Sequence, residues 1–454
     1  MLHKNNLVTL LGILVLATMP CTPAEAANWF KIQGISNPAW GKGTVLGWLE
    51  PDYSMIHGSN VNVNGHPYPI KPNLIGPEFS NSSKLTMQRA RLMLRGELNP
   101  DLSYFLAGEF GDNGYNYSNG QYSPQIIDAH VTFSNYIPGA RIQAGIIRAP
   151  GPEGAMQGYM GYNFIDVFPS VIGQLMQPNF YSKNTKYNYN PASGGYLVPG
   201  SDLSSVNGFR YPGIEAFDWF KLRKNLELAY GAMLGSYGNQ FESNSSNGPI
   251  IAGRVQLSYL DGGGGSFFRN DWTGFVWAQQ ARPQLNGISN TMRREGFGVT
   301  FRHGNMETGA RSLKAEYMVG TGNIAAPAPF NQEPGLVPAQ YQTTFFPGSN
   351  NKASGYYVSA GYFVSPKVEL NARYDYYDRL PNIPAQERVF TNIGVGAQYH
   401  ITPVTRIVVD YFIRKTDIPN PGAIGHPGSP QLVQATNVAN ATGNEFDIYA
   451  IYAF

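Results

Sequence analysis

Residues Gln88 to Leu98 read QRARLMLRGEL. Side chains in an extended strand point alternately to its two faces. Read that way, Ala90, Leu92, Leu94 and Leu98 share one face, while Arg89, Arg91, Arg95 and Glu97 share the other. Wound as a helix, the same arginines and leucines would scatter around the axis. The pattern returns downstream. Val368, Leu370, Ala372, Tyr374 and Tyr376 alternate with Lys367, Glu369, Asn371, Arg373 and Asp375. Thr405, Ile407, Val409, Tyr411 and Ile413 alternate with Arg406, Asp410 and Arg414, and the chain ends with Phe446, Ile448, Ala450, Tyr452 and Phe454 opposite Glu445 and Asp447. One such segment says little. Its repetition predicts strands with one face toward lipid and the other toward water.

Sixteen segments carry this signal, starting near residues 43, 85, 102, 125, 139, 208, 224, 249, 271, 294, 310, 354, 366, 390, 403 and 443. An even number lets both chain ends lie on the periplasmic side of a closed barrel. Ten residues rising about 3.3 Å each at a tilt of about 45° span roughly 24 Å, the height of a barrel's apolar band. The connections sort by parity. Short links fall at Asn99-Pro100-Asp101, Tyr136-Ile137-Pro138, Lys221-Leu222-Arg223, Ser365-Pro366 and His400-Ile401-Thr402, and between them lie long stretches at 56–84, 149–207, 321–353 and 416–442. A soluble β-sandwich has no reason to sort its loops this way. The expected fold is all-β: a 16-stranded antiparallel transmembrane β-barrel with short periplasmic turns and long extracellular loops.

Composition agrees. Only 14% of residues are charged and 13% are aromatic, with 52 Gly and 33 Pro, whereas ordinary soluble chains are about a quarter charged. Beyond residue 26 no apolar run reaches the length of a membrane helix. The net charge of +2 comes without a basic patch, so no nucleic-acid partner is expected. Residues 1–26 read as a cleavable signal peptide, with Lys4 at the start, an apolar core from Leu7 to Ala17 and the small-x-small site Ala24-Glu25-Ala26. Cleavage would remove Cys21, the sole cysteine, and leave residues 27–454 as one barrel domain without thiol chemistry. His57, His66 and His426 fall in expected loops, and His130, His303 and His400 in strands or at their ends. No pair has metal-ligand spacing and no nucleophile elbow appears, so neither a catalytic residue, a metal nor a cofactor is expected.

Arg89 to Leu98, a two-residue turn and then Ser103-Tyr104-Phe105-Leu106 resemble the opening hairpin of the phosphate-selective porin O/P family. Ile127-Asp128-Ala129-His130-Val131 and Arg141-Ile142-Gln143-Ala144-Gly145 are similar to its next two strands. The motifs span about the first third of the mature chain, and the remainder follows only in pattern. The resemblance implies a Gram-negative outer-membrane porin passing small hydrophilic solutes and ions, with an anion route of arginines stepping down the wall. Alternation turns Arg89, Arg91, Arg95, Arg141, Arg254, Arg302, Lys314, Arg373 and Arg406 toward the lumen. Guanidinium forks suit oxyanions. Glu97, Asp128 and Asp410, with further carboxylates, face the same way. Paired charges that stiffen the wall are therefore the alternative, and any anion or phosphate preference should be weak.

General 16-stranded porins fold the third extracellular loop inward as a constriction. Residues 149–207 hold that place here, with Lys183 and Lys186, Asp166, and the aromatics Tyr159 and Tyr162 among many others. Such aromatics could form a stacking track for sugars or could pack the loop against the wall. The resemblance also implies a homotrimer surrounded by outer-membrane lipid and lipopolysaccharide. The alternating strand ending in Phe454 resembles the targeting strand read by the barrel-assembly machinery. An outer-membrane enzyme, an adhesin and a sugar-type channel are the competing readings. A plugged receptor is not expected, because residues 27–42 are too few for a plug domain.

Overall fold

In a computed structural model of the chain, sixteen strands close into a single antiparallel barrel. The structure describes residues 28–34, 41–59, 61–63, 66–68, 82–112, 116–118, 121–122, 124–158, 161–165, 168–176, 179–180, 187–190, 194–198, 203–204, 209–237, 248–262, 268–327 and 343–454. The expected signal peptide lies outside them. The strands are β1 (Thr44–His57), β2 (Ser82–Asn99), β3 (Leu102–Glu109), β4 (Gln125–Ile137), β5 (Ala140–Arg148), β6 (Arg210–Arg223), β7 (Leu226–Ser236) and β8 (Pro249–Leu260). They continue with β9 (Asp271–Ala281), β10 (Met292–His303), β11 (Arg311–Thr321), β12 (Lys352–Ser365), β13 (Val368–Arg379), β14 (Arg388–Thr402), β15 (Thr405–Asp417) and β16 (Asn444–Ala453). Each begins within three residues of the position read from the sequence.

Every strand pairs with its neighbours in sequence, and β1 pairs with β16 to close the ring, in register from Trp48 opposite Ala453 to His57 opposite Asn444. Gly47 and Phe454 complete the seam with reciprocal backbone bonds of 2.9 and 3.0 Å. A Cβ at Gly47 would stand 2.5 Å from the Phe454 ring and 2.6 Å from the Arg91 carbonyl, so only glycine leaves the ring its place. Pro51, which has no N–H to give the ladder, sits at a register shift in β1.

Burial along the strands is inverted relative to a soluble protein. Leu92, Leu94, Val255, Val276, Val358, Ile407, Ile413 and Ile448 are exposed, while Arg91, Glu109, Arg254, Glu316, Asp375, Asp410 and Asp447 are buried. An apolar band outside and charges inside is the arrangement that hydrocarbon selects. No helix among the described residues is long and apolar enough to cross a membrane; the strands make the crossing. One rim has turns of two residues at 100–101, 138–139, 224–225, 366–367 and 403–404, with longer turns at 261–270 and 304–310. The opposite rim carries the loops, the longest of which joins β5 to β6.

Among the described residues, two pieces of chain occupy the lumen. The first is the loop after β5, which folds inward. The second is a short helix, α1 (Trp29–Gly34), ahead of β1. The far part of the loop pairs as 188–190 and 195–198 with 324–327 and 343–346 of the sixth loop, making a four-stranded sheet.

Candidate functional site

A loop inside a barrel carries backbone amides and carbonyls that water no longer serves fully, so each needs a partner. The charged wall supplies them. Gln279 on β9 donates to the Pro150 carbonyl (3.1 Å) and Arg254 on β8 to that of Gly151 (2.8 Å). Arg254 also pairs with the Glu153 carboxylate at 2.6 Å, and the Glu153 amide donates to Glu316 on β11 (3.2 Å). Glu316 further accepts from the Trp277 indole (2.7 Å) and the Tyr357 hydroxyl (2.9 Å). Lys314 donates to Gln157 (2.9 Å) and to the Gly161 carbonyl (2.7 Å).

Farther round, Arg406 on β15 donates to the Tyr162 carbonyl (2.6 Å), and Asp410 accepts from the Ile165 amide (2.8 Å). Asn163 bonds Asn371 on β13 (2.7 Å), and Arg89 on β2 reaches the Ile165 carbonyl at 3.3 Å. The loop then turns back. The Ser170 amide donates to Asp375 (3.1 Å), the Ser170 hydroxyl accepts from Asn392 on β14 (2.7 Å), and Arg294 on β10 donates to the Leu175 carbonyl (3.2 Å). The loop is thereby fastened to eight wall strands.

Apolar contacts back these bonds. Val171, Ile172, Leu175 and Met176 of the loop pack on Phe275, Trp277, Met318, Tyr357, Tyr377 and Phe390. Tyr162, Phe164 and Ile165 pack on Val408, Phe412, Tyr449 and Ile451, with the Phe164 and Phe412 rings 5.4 Å apart. Burying one such side chain is worth about 1.5–3 kcal/mol, so these two patches fix the loop's course. The described loop aromatics thus serve mainly as packing. Tyr187 is buried against the fifth and sixth loops, and Tyr189 is exposed with its ring 5.0 Å from that of Tyr196.

The lumen-facing cations read from the sequence are largely partnered. Arg89 pairs with Glu50 and lies over the Tyr162 ring, and Arg91 pairs with Glu109 at 2.5 Å. Arg95 donates to the Ile32 carbonyl (2.8 Å), Arg141 pairs with Asp218, and Arg373 is 3.3 Å from Asp375. Asp128 holds Arg210 at 3.1 Å and Arg148 at 3.7 Å. Glu97 and Arg302 are half-buried, and Arg302 stands directly across from Asp271. Tyr159, Asp166, Lys183 and Lys186 lie outside the described residues. Between loop and wall remains a small cavity whose lining includes Gln157, Asn163, Lys314, Tyr357, Ser359 and Arg373.

Two anchoring cations, Arg148 and Arg210, escape a simple alternation count, while a third, Arg294, keeps the inward parity of Arg302. Counted from Arg141, Arg148 should face lipid. Gly145, at a φ of +135°, lies so close to its neighbour strand that a Cβ would be 2.1 Å from the Ala129 carbonyl. Past this kink Arg148 turns to the loop, donating to the Met156 and Gln157 carbonyls at 3.2 and 3.1 Å, with Arg210 beside it on Asp128. Arg294 at the mouth of β10 gathers the Thr321, Gly322 and Asn323 carbonyls within 3.0 Å.

In shape the chain is similar to the anion-selective porin of Comamonas acidovorans, with a TM-score of 0.52 and 12% identity, covering 91% of this chain and 99% of that one. It is also similar to OmpF of Salmonella typhi, solved in complex with daunomycin, with a TM-score of 0.53, 14% identity and coverage of 92% and 99%. No protein-family model matches the sequence, and no curated protein matches it. At such identities the likeness is one of fold: the same closed barrel, over nearly the whole of each chain.

Proposed function

We propose that the protein is a passive diffusion channel of a Gram-negative outer membrane, exported with residues 1–26 as a cleaved signal peptide. One observation carries this reading: a closed ring of sixteen strands whose inward face is polar and charged. A ring that size is too wide for wall side chains alone to fill and encloses water. The inward loop then acts as the constriction. Lys314 and Arg373, which border the cavity beside it, and the wall residues Arg89, Arg91, Arg95, Glu97, Asp128, Arg141, Arg254, Arg302, Arg406 and Asp410 line the route. Because so many of these cations are paired with carboxylates, the field in the lumen is close to neutral. A weak anion preference fits this charge balance better than strict phosphate selection, even with the resemblance to the phosphate-selective family. A homotrimer and assembly through Phe454 complete the proposal.

The test is planar-bilayer recording from purified, folded protein. Step conductances with a small reversal potential on the anion side are expected in a salt gradient. Folded protein that passes no current would refute the reading.

A further inference from the structure

Helix α1 sits in the lumen although closure of the wall does not need it. Asn28 donates to Glu227 at the turn end of β7 (3.0 Å), and Arg95 at the turn end of β2 donates to the Ile32 carbonyl (2.8 Å). β2 and β7 are five strands apart around the wall, so the helix reaches across the half of the lumen nearest the short turns. The Trp29 indole donates to Glu153 of the inward loop at 2.6 Å, on the carboxylate that Arg254 also holds.

The seat is shaped for Phe30, whose ring stacks 6.2 Å from that of Phe217. It lies over Gly231, where a Cβ would come within 2.3 Å of the ring. The same seat contains an unmet demand. Glu215 is 3% exposed, its Oε1 has no hydrogen-bond partner among the described residues, and that oxygen would be 2.6 Å from the same Cβ. Covering a carboxylate oxygen without a partner costs free energy each time the helix docks.

We propose that α1 is a releasable restriction of the lumen: seated, it sets the size limit on the short-turn side and latches the inward loop through Trp29; released, it widens the passage and returns Glu215 to water. The proposal rests on the channel reading above. With cleavage after Ala26, only Ala27 and Asn28 would precede the helix, so its release would disturb no strand.

The experiment compares mature protein with a variant lacking residues 28–34, both verified as folded by heat-modifiable gel mobility. A helix with its side chains is about 10 Å across, so the deletion should raise single-channel conductance by about 1.5-fold or more. It should also admit larger sugars in liposome swelling. If the deletion does not fold, Phe30→Ala, which empties the seat over Gly231, gives the same readout. Glu215→Gln keeps the shape and removes the ionisable group. It should slow labelling of a thiol placed by Lys31→Cys with a charged methanethiosulfonate. Unchanged conductance and size limit in a folded, helix-free variant would overturn the restriction, and an unchanged labelling rate would overturn the release. Absence of current in wild type and variants alike would instead sink the channel reading itself.

Discussion

Replacing Arg254 with methionine tests how the inward loop is held. Arg254 is 2% exposed, donates 2.8 Å to the Gly151 carbonyl and 2.6 Å to Glu153, and lies 4.0 Å over the Phe275 ring. Methionine preserves most of the stem's volume but removes the guanidinium. Glu153 is then left with the Trp29 indole as its remaining strong donor. Breaking a buried ion pair from one side costs about 3–5 kcal/mol. The backbone of β8 keeps its ladder with β7 and β9, so the cost falls on the loop and not on the barrel. At 1.4 kcal/mol per factor of ten, the equilibrium for holding the first turn of the loop in place weakens by about 10²-fold to a few thousand-fold. Single-channel recording should show larger open-channel noise and intermediate conductance levels, with gel mobility unchanged. The double variant Arg254→Met, Glu153→Gln removes the stranded charge and should recover part of the loss. Wild-type noise in Arg254→Met, or a double variant worse than the sum of its parts, would refute this account of the anchor.

Gly47→Val drives a side chain into the Phe454 ring and the Arg91 carbonyl. A loss of about 1–3 kcal/mol should appear as unfolding at lower temperature on unboiled gels. Val276→Arg sets a charge on the lipid face of β9, where Val276 is exposed. It should cost about 2–4 kcal/mol near the bilayer midplane, read from urea unfolding in liposomes. Glu109→Gln removes the charge that balances Arg91 and should move the reversal potential toward anions. An unmoved potential would mean that the ions do not sense this pair.

All sixteen strands were legible in the sequence because lipid enforces alternation on every one of them, in the way Ala90 and Leu92 flank Arg91. The loop's course was not. Its docking patches are apolar residues on the inward parity, Phe275, Trp277, Val408 and Phe412. In a strand such as β9, with apolar residues on both faces from 275 to 277, that doubling was a readable sign that something covers the inside. The kink at Gly145 hid Arg148, since alternation holds only while backbone geometry is regular. Helix α1 spans six residues, too few for any periodicity to register; the adjacent Trp29 and Phe30 were its sole trace. The charged residues were placed by parity, but whether Arg89 meets an ion or Glu50 depends on cross-strand register, which a single sequence does not encode.

Phe454 ties the seam to Gly47 through reciprocal backbone bonds. Without β16, the other fifteen strands would form a curved ribbon with two bare edges, each an invitation to pair with a stranger. A ring lacking β16 would therefore be a sticky sheet and not a slightly smaller pore, so for this molecule closing the ring and becoming safe are the same event.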